Sequence, residues 1–322
     1  MTDGSNLLPG AVTRVPVGLD APPPTEYRKR RRQIDLVRKF RTEFLFAVGC
    51  VIIFLSIFLA VCGAWISPYD PTFSTGDVSV GPPSLKEWPS LLWEALTSDM
   101  EKPPHWFGTD SSGLDIFSRT ISAPRTDMTI ALSSGLLSLI IGTFLGLLAG
   151  FYKNWATEIL MRVSDLLQAF PVFITAMILV ALTGRNTFII VIALGIVYTP
   201  IFVRLTRAEV LSQRTRGYVE AARAVGNSEW VVAIRHVLPN SLVPSLVQTS
   251  TTIGFAILLT SGLSFVGAGV RPPTPEWGLM IALGAPEMIL GEWWQSVFPG
   301  LAISITVFGY AAVGHGLEED YR

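Results

Sequence analysis

Two segments of the chain carry polar residues at spacings that could support chemistry. In the first, His105 is followed by Asp110, Asp115 and Arg119. A pair of aspartates can bind Ca²⁺, but this pair lacks the ligand spacing and the closing glutamate of an EF-hand loop. We therefore interpret both aspartates as turn-forming residues. We predict neither a metal site nor a catalytic residue on this chain.

The second segment, residues 220–239, is predicted to form two short helices. Gly226 favours a turn because glycine tolerates a positive φ, Ser228 can cap the second helix, and Pro239 predicts its end. The first helix presents a small surface, formed by Ala221, Ala222 and Ala224. Such a surface would admit another protein. The residues alone fit equally well an amphipathic loop that lies on the membrane.

Motifs for hydrolysis are missing from the sequence. It contains no G-x-x-x-x-G-K-[ST] phosphate loop, no H-E-x-x-H pair and no G-x-S-x-G elbow. If ATP drives this protein, another chain binds it. The two cysteines, Cys50 and Cys62, lie in one apolar stretch and are interpreted as free thiols.

Lipid is the expected environment of most of the chain. Half of the 322 residues are hydrophobic and 15% are charged, whereas soluble domains carry about 25% charged residues. The net charge of -1 gives no reason to expect a nucleic-acid partner. Six stretches approach the ~20 apolar residues that cross a membrane, which predicts an all-α polytopic membrane protein. They are residues 44–66, 129–152, roughly 163–182, 187–203, and stretches within 242–266 and 297–313.

The basic residues are divided unevenly between the two sides of the predicted bundle. Of 24 Lys and Arg, 18 fall on the side of the N terminus and six on the other, so both termini are predicted to be cytoplasmic. The basic run 28–32 is interpreted as a topology signal, with binding of anionic lipid as the alternative. The chain is predicted to begin with a disordered basic cytoplasmic tail (1–40), a first transmembrane helix (41–66) and an extracytoplasmic segment (67–128). A transmembrane core (129–317) and a cytoplasmic tail (318–322) follow. The core includes a cytoplasmic loop (205–241) and a second extracytoplasmic segment (267–296).

Small residues recur every four positions within the second stretch, which places them on one helix face. Such a face permits close contact between membrane helices; a pore-facing stripe is the alternative interpretation. The five residues are Ser134, Ser138, Gly142, Gly146 and Gly150. In the next two stretches, Pro171 and Pro200 predict kinks. No Asp, Glu, Lys or Arg lies at the centre of any stretch, which disfavours an ion-coupled carrier.

The segment 220–239 resembles the coupling loop of ATP-binding-cassette importer permeases, E-A-A-x-x-x-G followed by I-x-x-x-x-L-P. The matching residues are Glu220, Ala221, Ala222, Gly226, Ile234, Leu238 and Pro239. The resemblance implies a type I permease fold with about six transmembrane helices. It also implies that this loop docks into a groove on an ATP-binding subunit.

The segment before the second stretch is similar to that of permeases from the dipeptide, oligopeptide and nickel uptake group, and favours the second, C-type permease. The matching residues are His105, Gly108, Thr109, Asp110, Gly113, Asp115, Ser118 and Arg119. Two departures from the family pattern follow. Leu114 stands in place of an arginine, and A-P-R-T-D at 123–127 replaces G-x-R-x-S.

The same resemblance implies a set of partners in a prokaryotic inner or plasma membrane. They are a second permease in a heterodimer, two cytoplasmic ATPase subunits that bind ATP and Mg, an extracytoplasmic substrate-binding protein, and membrane lipid. No cofactor is expected on this chain. Peptides are the default substrate, with nickel or another small solute as the alternative. A non-transporting sensor or scaffold that uses the same loop is the competing class.

Overall fold

The chain folds into a bundle of helices. The computed structural model describes residue 40 and residues 43–84, 86–97, 103–152 and 154–321. Apart from residue 40, the predicted tail 1–40 lies outside these residues. The α-helices are α1 (Phe44–Ile66), α2 (Trp88–Thr97), α3 (Ile116–Ser122), α4 (Pro124–Phe151), α5 (Trp155–Ala169), α6 (Val172–Thr183), α7 (Thr187–Gln213), α8 (Gly217–Ala224), α9 (Glu229–Val231), α10 (Leu238–Ser241), α11 (Val243–Phe265), α12 (Trp277–Gly284) and α13 (Trp294–Tyr321). A π-helix (Val232–Val237) joins α9 to α10, and a 3₁₀ helix (Glu287–Leu290) precedes α13.

Five helical segments of the described chain are long and apolar enough to cross a membrane. They are α1, α3 with α4, α7, α11 and α13, and the pair α5 and α6 makes a sixth if it counts as one span. The prediction of an all-α polytopic membrane protein is confirmed.

The third predicted stretch, 163–182, bends sharply at Pro171, where the sequence predicts a kink. The chain bends by 96° between α5 and α6. The cause is local, because Phe170 precedes Pro171 and adopts an extended conformation with φ -95° and ψ 146°. A proline disfavours the α conformation at the residue before it. Pro200, in contrast, lies inside α7, which continues through it.

Two helices extend beyond their predicted stretches. Helix α4 begins at Pro124, so the predicted segment 67–128 ends inside a helix. Helix α7 continues to Gln213, ten residues past the predicted end at 203 and well into the predicted loop. Apolar run length marks only the part of a helix that meets lipid, whereas the hydrogen-bonded helix continues into its polar ends.

Burial separates a peripheral helix from a central one. In the most apolar part of α1 only 17% of the residues are buried, and side chains such as Phe54 and Trp65 are exposed. The corresponding part of α7 is 56% buried. Helix α1 therefore lies at the periphery of the described bundle, and α7 lies inside it.

The small-residue face of α4 lies against α7 of the same chain. A Cβ atom added at Gly142, Gly146 or Gly150 would lie 2.7–2.9 Å from a backbone oxygen of α7. Ser134 and Ser138 are fully buried and donate their hydroxyls to carbonyls one turn back in α4. Backbone-to-backbone contact of this kind needs residues without side chains. In this chain, the three glycines serve helix packing and do not line an open passage.

We expect Gly146→Ala to lower the stability of the bundle, because the new methyl group would lie 2.7 Å from the carbonyl oxygen of Val203. Overpacking of this kind costs about 1–3 kcal/mol, and Gly146→Leu should prevent assembly. Thermal unfolding and the yield of assembled complex measure the effect. Gly300→Ala is the control, since its nearest atom would be 3.9 Å away. Equal stability of the two alanine variants would contradict this account of the packing.

Candidate functional site

The segment after α7 folds back on itself as two short helices. Gly226, between α8 and α9, has φ +92° and no atom within 4 Å of an added Cβ, so its backbone conformation is the reason for glycine. The amide of Asn227 donates to the carbonyl of Ala222 at 3.0 Å. Ser228 caps α9 by accepting from the N–H of Val231 at 3.5 Å. The turn is thus determined by three consecutive residues.

An ion pair spans this turn. Arg223 on α8 contacts both carboxylate oxygens of Glu229, through Nε at 2.9 Å and NH2 at 3.1 Å. Both side chains are well exposed, so the pair contributes at most about 1 kcal/mol. Its two-pronged geometry links α8 to α9 across the turn.

A small apolar core holds the folded segment to the ends of α4 and α7. Buried residues of the segment pack on side chains of both helices. Arg214 adds polar contacts, donating to the carbonyls of Gly150 at 3.1 Å and Phe151 at 3.3 Å at the C terminus of α4. The segment is therefore part of the α4–α7 unit. Its core residues are Leu147, Phe151, Val210, Val219, Ala222, Val232, Ala233 and Val237.

The opposite face of this segment is exposed. We call residues 220, 221 and 223–230 the loop surface, since all of them are exposed. Val225 is 83% and Trp230 44% exposed, which is unusual for large apolar side chains. Ala222 is 8% exposed and faces the small core. The expectation that it presents a small surface to another protein is therefore wrong, because its position on α8 points inward.

The sequence predicts that the helix ends at Pro239, but the helical structure continues past this residue. The π-helix Val232–Val237 leads directly into α10, which contains both Leu238 and Pro239. Proline lacks the N–H of a regular α-turn and crowds the preceding carbonyls, and the wider π-turn relieves this crowding. Leu238 is half-buried, whereas Ile234 and Pro239 are exposed.

At the other end of the bundle, the predicted motif forms a compact turn around Asp115. One carboxylate oxygen of Asp115 lies 2.7 Å from Nδ1 of His105, and the other accepts from the N–H of Ser118 at 2.7 Å, which caps α3. The ring of Tyr69 stacks on His105 with centroids 4.7 Å apart. Burial, together with the charges of Asp115 and Asp77, raises the pKa of Tyr69.

Asp110 also acts as an acceptor for backbone groups. Its Oδ1 accepts from the N–H of Ser112 and of Leu114, both at 2.9 Å. Gly108 and Gly113 flank this turn, and their carbonyls accept from Ile116 and Thr75. Both aspartates thus stabilise turns, in agreement with their interpretation as turn-forming residues.

The motif is also attached to the last helix. The indole N–H of Trp294 donates to the carbonyl of Thr109 at 3.1 Å, and the ring of Phe107 stacks on Phe298 at 4.0 Å. Arg119 is 1% exposed and reaches the carbonyl of Pro71 at 3.5 Å. The predicted extracytoplasmic segment and α13 therefore form one packed unit.

A family described as binding-protein-dependent transport system inner membrane component matches residues 142–317. The chain belongs to this family. It is therefore the membrane permease component of an ATP-binding-cassette importer, whose ATPase is a separate subunit. The resemblance stated from the sequence is confirmed.

Three relatives illustrate the match along most of the permease. A glutathione transport system permease protein of Pectobacterium atrosepticum is 34% identical over 284 residues, 88% of each chain. A di/tripeptide transport system permease protein of Pseudomonas aeruginosa is 38% identical over 271 residues, 84% of this chain and 85% of the relative. A probable D,D-dipeptide transport system permease protein of Escherichia coli is 34% identical over 284 residues, 88% of this chain and 89% of the relative.

Sequence reasoning missed a pair of buried acids in the permease. Asp127 in the first turn of α4 and Glu276 immediately before α12 are both 0% exposed. The N–H of Trp277 donates to Asp127 at 3.3 Å, although the two residues are 150 positions apart. Asp127 lay just outside the predicted second stretch. The one signal in the sequence was the departure from the family pattern at 123–127.

We expect Asp115→Ala to destabilise the predicted extracytoplasmic segment by about 1–2 kcal/mol, since it removes the cap of α3. Asp115→Asn keeps an oxygen that can accept from Ser118 and should retain most of the stability. Thermal unfolding of the purified permease and limited proteolysis between α2 and α3 measure the loss. Equal effects of the two substitutions would contradict a capping role.

Proposed function

We propose that this permease is one of two in a heterodimer that imports peptides, and that the loop surface docks an ATP-binding subunit in the cytoplasm. The observation that carries this proposal is the contrast between the two faces of the loop. One face is held by the small core, while the other exposes Val225 and Trp230 to a partner. The matches to Glu220 and Gly226 in the family pattern support the same role.

The inferred orientation rests on the basic residues. Arg204, Arg207, Arg214, Arg216, Arg223 and Arg235 all lie at the loop end of the bundle. Positive charge is retained on the cytoplasmic side, so the loop and both termini are assigned there. The predicted extracytoplasmic segment around His105 then faces a substrate-binding protein outside.

The proposed coupling is mechanical. Closure of two ATPase subunits would displace the loop surface, and the small core would pass that displacement to α4 and α7 as one body. No covalent chemistry takes place on this chain. ATP shifts the permease between inward- and outward-open states only as far as its affinity differs between them.

Peptides are the proposed substrate class. The three relatives are named for glutathione, di- and tripeptides, and D,D-dipeptides. Beside the break between α5 and α6 lies a cavity of about 470 Å³ whose lining is almost wholly apolar. Its residues are Pro171, Val172, Phe173, Tyr198, Phe255, Leu258 and Leu259. Such a lining suits the side chains of short peptides better than a hydrated metal ion.

We expect Glu220→Lys and Gly226→Pro to abolish uptake while the permease remains in the membrane. The first reverses a charge on the loop surface. The second cannot adopt φ +92°, because proline is held near -65°. Uptake by cells and ATPase activity stimulated by the substrate-binding protein are the measurements. Glu158→Lys, an equal charge reversal on exposed α5 at the same end, should leave both activities near wild type. Normal uptake with either loop variant would refute the docking role.

The substrate class is tested by reconstitution with the neighbouring subunits in proteoliposomes. Di- and tripeptides, added with the substrate-binding protein, should stimulate ATPase activity several-fold and accumulate inside. Ni²⁺ and free amino acids serve as the comparison. Stimulation by Ni²⁺ and not by any peptide would replace the peptide assignment with the small-solute alternative. The absence of any ATP-dependent uptake would favour the sensor or scaffold class.

A further inference from the structure

The two buried acids, Asp127 and Glu276, lie close together. Each is 0% exposed, and the N–H of Trp277, the residue after Glu276, donates to Oδ2 of Asp127 at 3.3 Å. Asp127 belongs to α4, Glu276 immediately precedes α12, and the indole N–H of Trp277 donates to the carbonyl of Thr120 on α3 at 3.0 Å. Three elements of the predicted extracytoplasmic end therefore meet at this point.

Two carboxyl groups that are both fully buried cannot both remain ionised. Removing each charge from water is costly, and their repulsion is strong where the dielectric constant is low. A hydrogen bond between two carboxyl groups also requires a proton on one of them. The pair must therefore be neutralised, by a cation or by a proton.

The described cations around the pair are directed elsewhere. Arg119 on α3 reaches Pro71 and is influenced by Asp110, and His105 bonds Asp115. Arg125, in the first turn of α4, and Arg271, before α12, are both exposed.

Neutral polar groups also lie near the pair. The hydroxyl of Tyr310 on α13 contacts the sulfur of Met128 at 3.5 Å. Helices α11 and α12 contribute no ionisable side chain, since their sequences contain none. A proton is thus the neutralising species that these surroundings favour.

The hydrogen bonds to the two acids indicate which of them carries the proton. Oε1 of Glu276 accepts from the N–H of Gly278 at 2.9 Å, and Oε2 accepts from the N–H of Leu279 at 2.6 Å. These bonds at the N terminus of α12 stabilise a carboxylate. In Asp127, Oδ2 accepts from Trp277, whereas Oδ1 is buried and has no donor among the described groups. A proton on Asp127 would remove this unsatisfied atom by donating to Glu276.

We propose that Asp127 and Glu276 form a proton-binding site that holds one proton at neutral pH, carried by Asp127 and donated to the Glu276 carboxylate. The bound proton fastens the start of α12 to α4. The site goes beyond the proposed function, because it requires neither the peptide nor the ATPase. It also depends on a departure from the family pattern G-x-R-x-S, which has a serine at the position of Asp127.

The site links stability to pH. Burial raises the pKa of Glu276, and the bonds from the N–H groups of Gly278 and Leu279 oppose that shift. The folded pair therefore retains a proton that the unfolded chain releases near the ordinary carboxyl pKa of about 4. Stability from the pair is complete below that pH and is lost as the pH rises through the higher value of the folded pair.

Infrared spectroscopy of the assembled transporter in D₂O tests the site directly. At neutral pH the wild type should show the carbonyl stretch of one buried protonated carboxyl, which shifts on ¹³C labelling of aspartate. Asp127→Asn and Asp127→Ser, the residue of the family pattern, should both remove this band. Asp70→Asn, on an exposed loop of the same end, should leave it unchanged.

Thermal unfolding of the same complexes between pH 5 and pH 9 provides a second readout. The melting temperature of the wild type should fall with rising pH by several degrees more than that of Asp127→Asn, whose amide can donate to Glu276 at every pH. If Asp127→Asn fails to assemble, Asp127→Ser supplies the comparison. A wild type without the band, a band that persists in both variants, or parallel melting curves would overturn the proposal. A bound cation would leave both acids ionised and would likewise be seen as a missing band.

Discussion

The contact between the backbones of α4 and α7 is the constraint on which the rest of the permease depends. Three glycines one turn apart bring the helices so close that a methyl group would meet a carbonyl oxygen. In a bilayer, where lipid tails compete equally for apolar side chains, such contact supplies dispersion energy that lipid cannot match. The two helices therefore behave as one body.

Both functional ends of the molecule are built on this body. Helix α4 has 28 residues and is about 42 Å long, which exceeds the ~30 Å hydrocarbon core. Its C terminus contributes Leu147 and Phe151 to the core beneath the loop, and its first turn carries Asp127. One helix thus connects the small core beneath the loop to the place where α12 is attached.

Local features of the fold could be predicted from sequence, whereas long-range contacts could not. The first and fifth stretches match α1 and α11 closely, because a charge-free apolar run has few alternatives. The turn at Gly226 follows from backbone conformation alone. Pro171 indicates a kink, but the angle of the bend depends on packing against other helices, which the local sequence does not reveal. The inward face of Ala222 and the contact between Asp127 and Glu276 arise only when distant helices meet. The family resemblance supplied the predicted role of the loop, which the residues alone left open.

The peripheral position of α1 has a consequence for how the molecule is made. A helix that buries so little of itself against protein is held in place mainly by its transfer from water into lipid. This free energy is available as soon as the segment leaves the ribosome, before any later helix exists. Helix α1 can therefore enter the bilayer alone and set the orientation of the chain. The glycine contact between α4 and α7, in contrast, forms only after both helices have been inserted. Biogenesis therefore has two steps. Helix α1 is first inserted because its transfer into lipid is favourable, and α4 and α7 later pack together because their surfaces are complementary in shape.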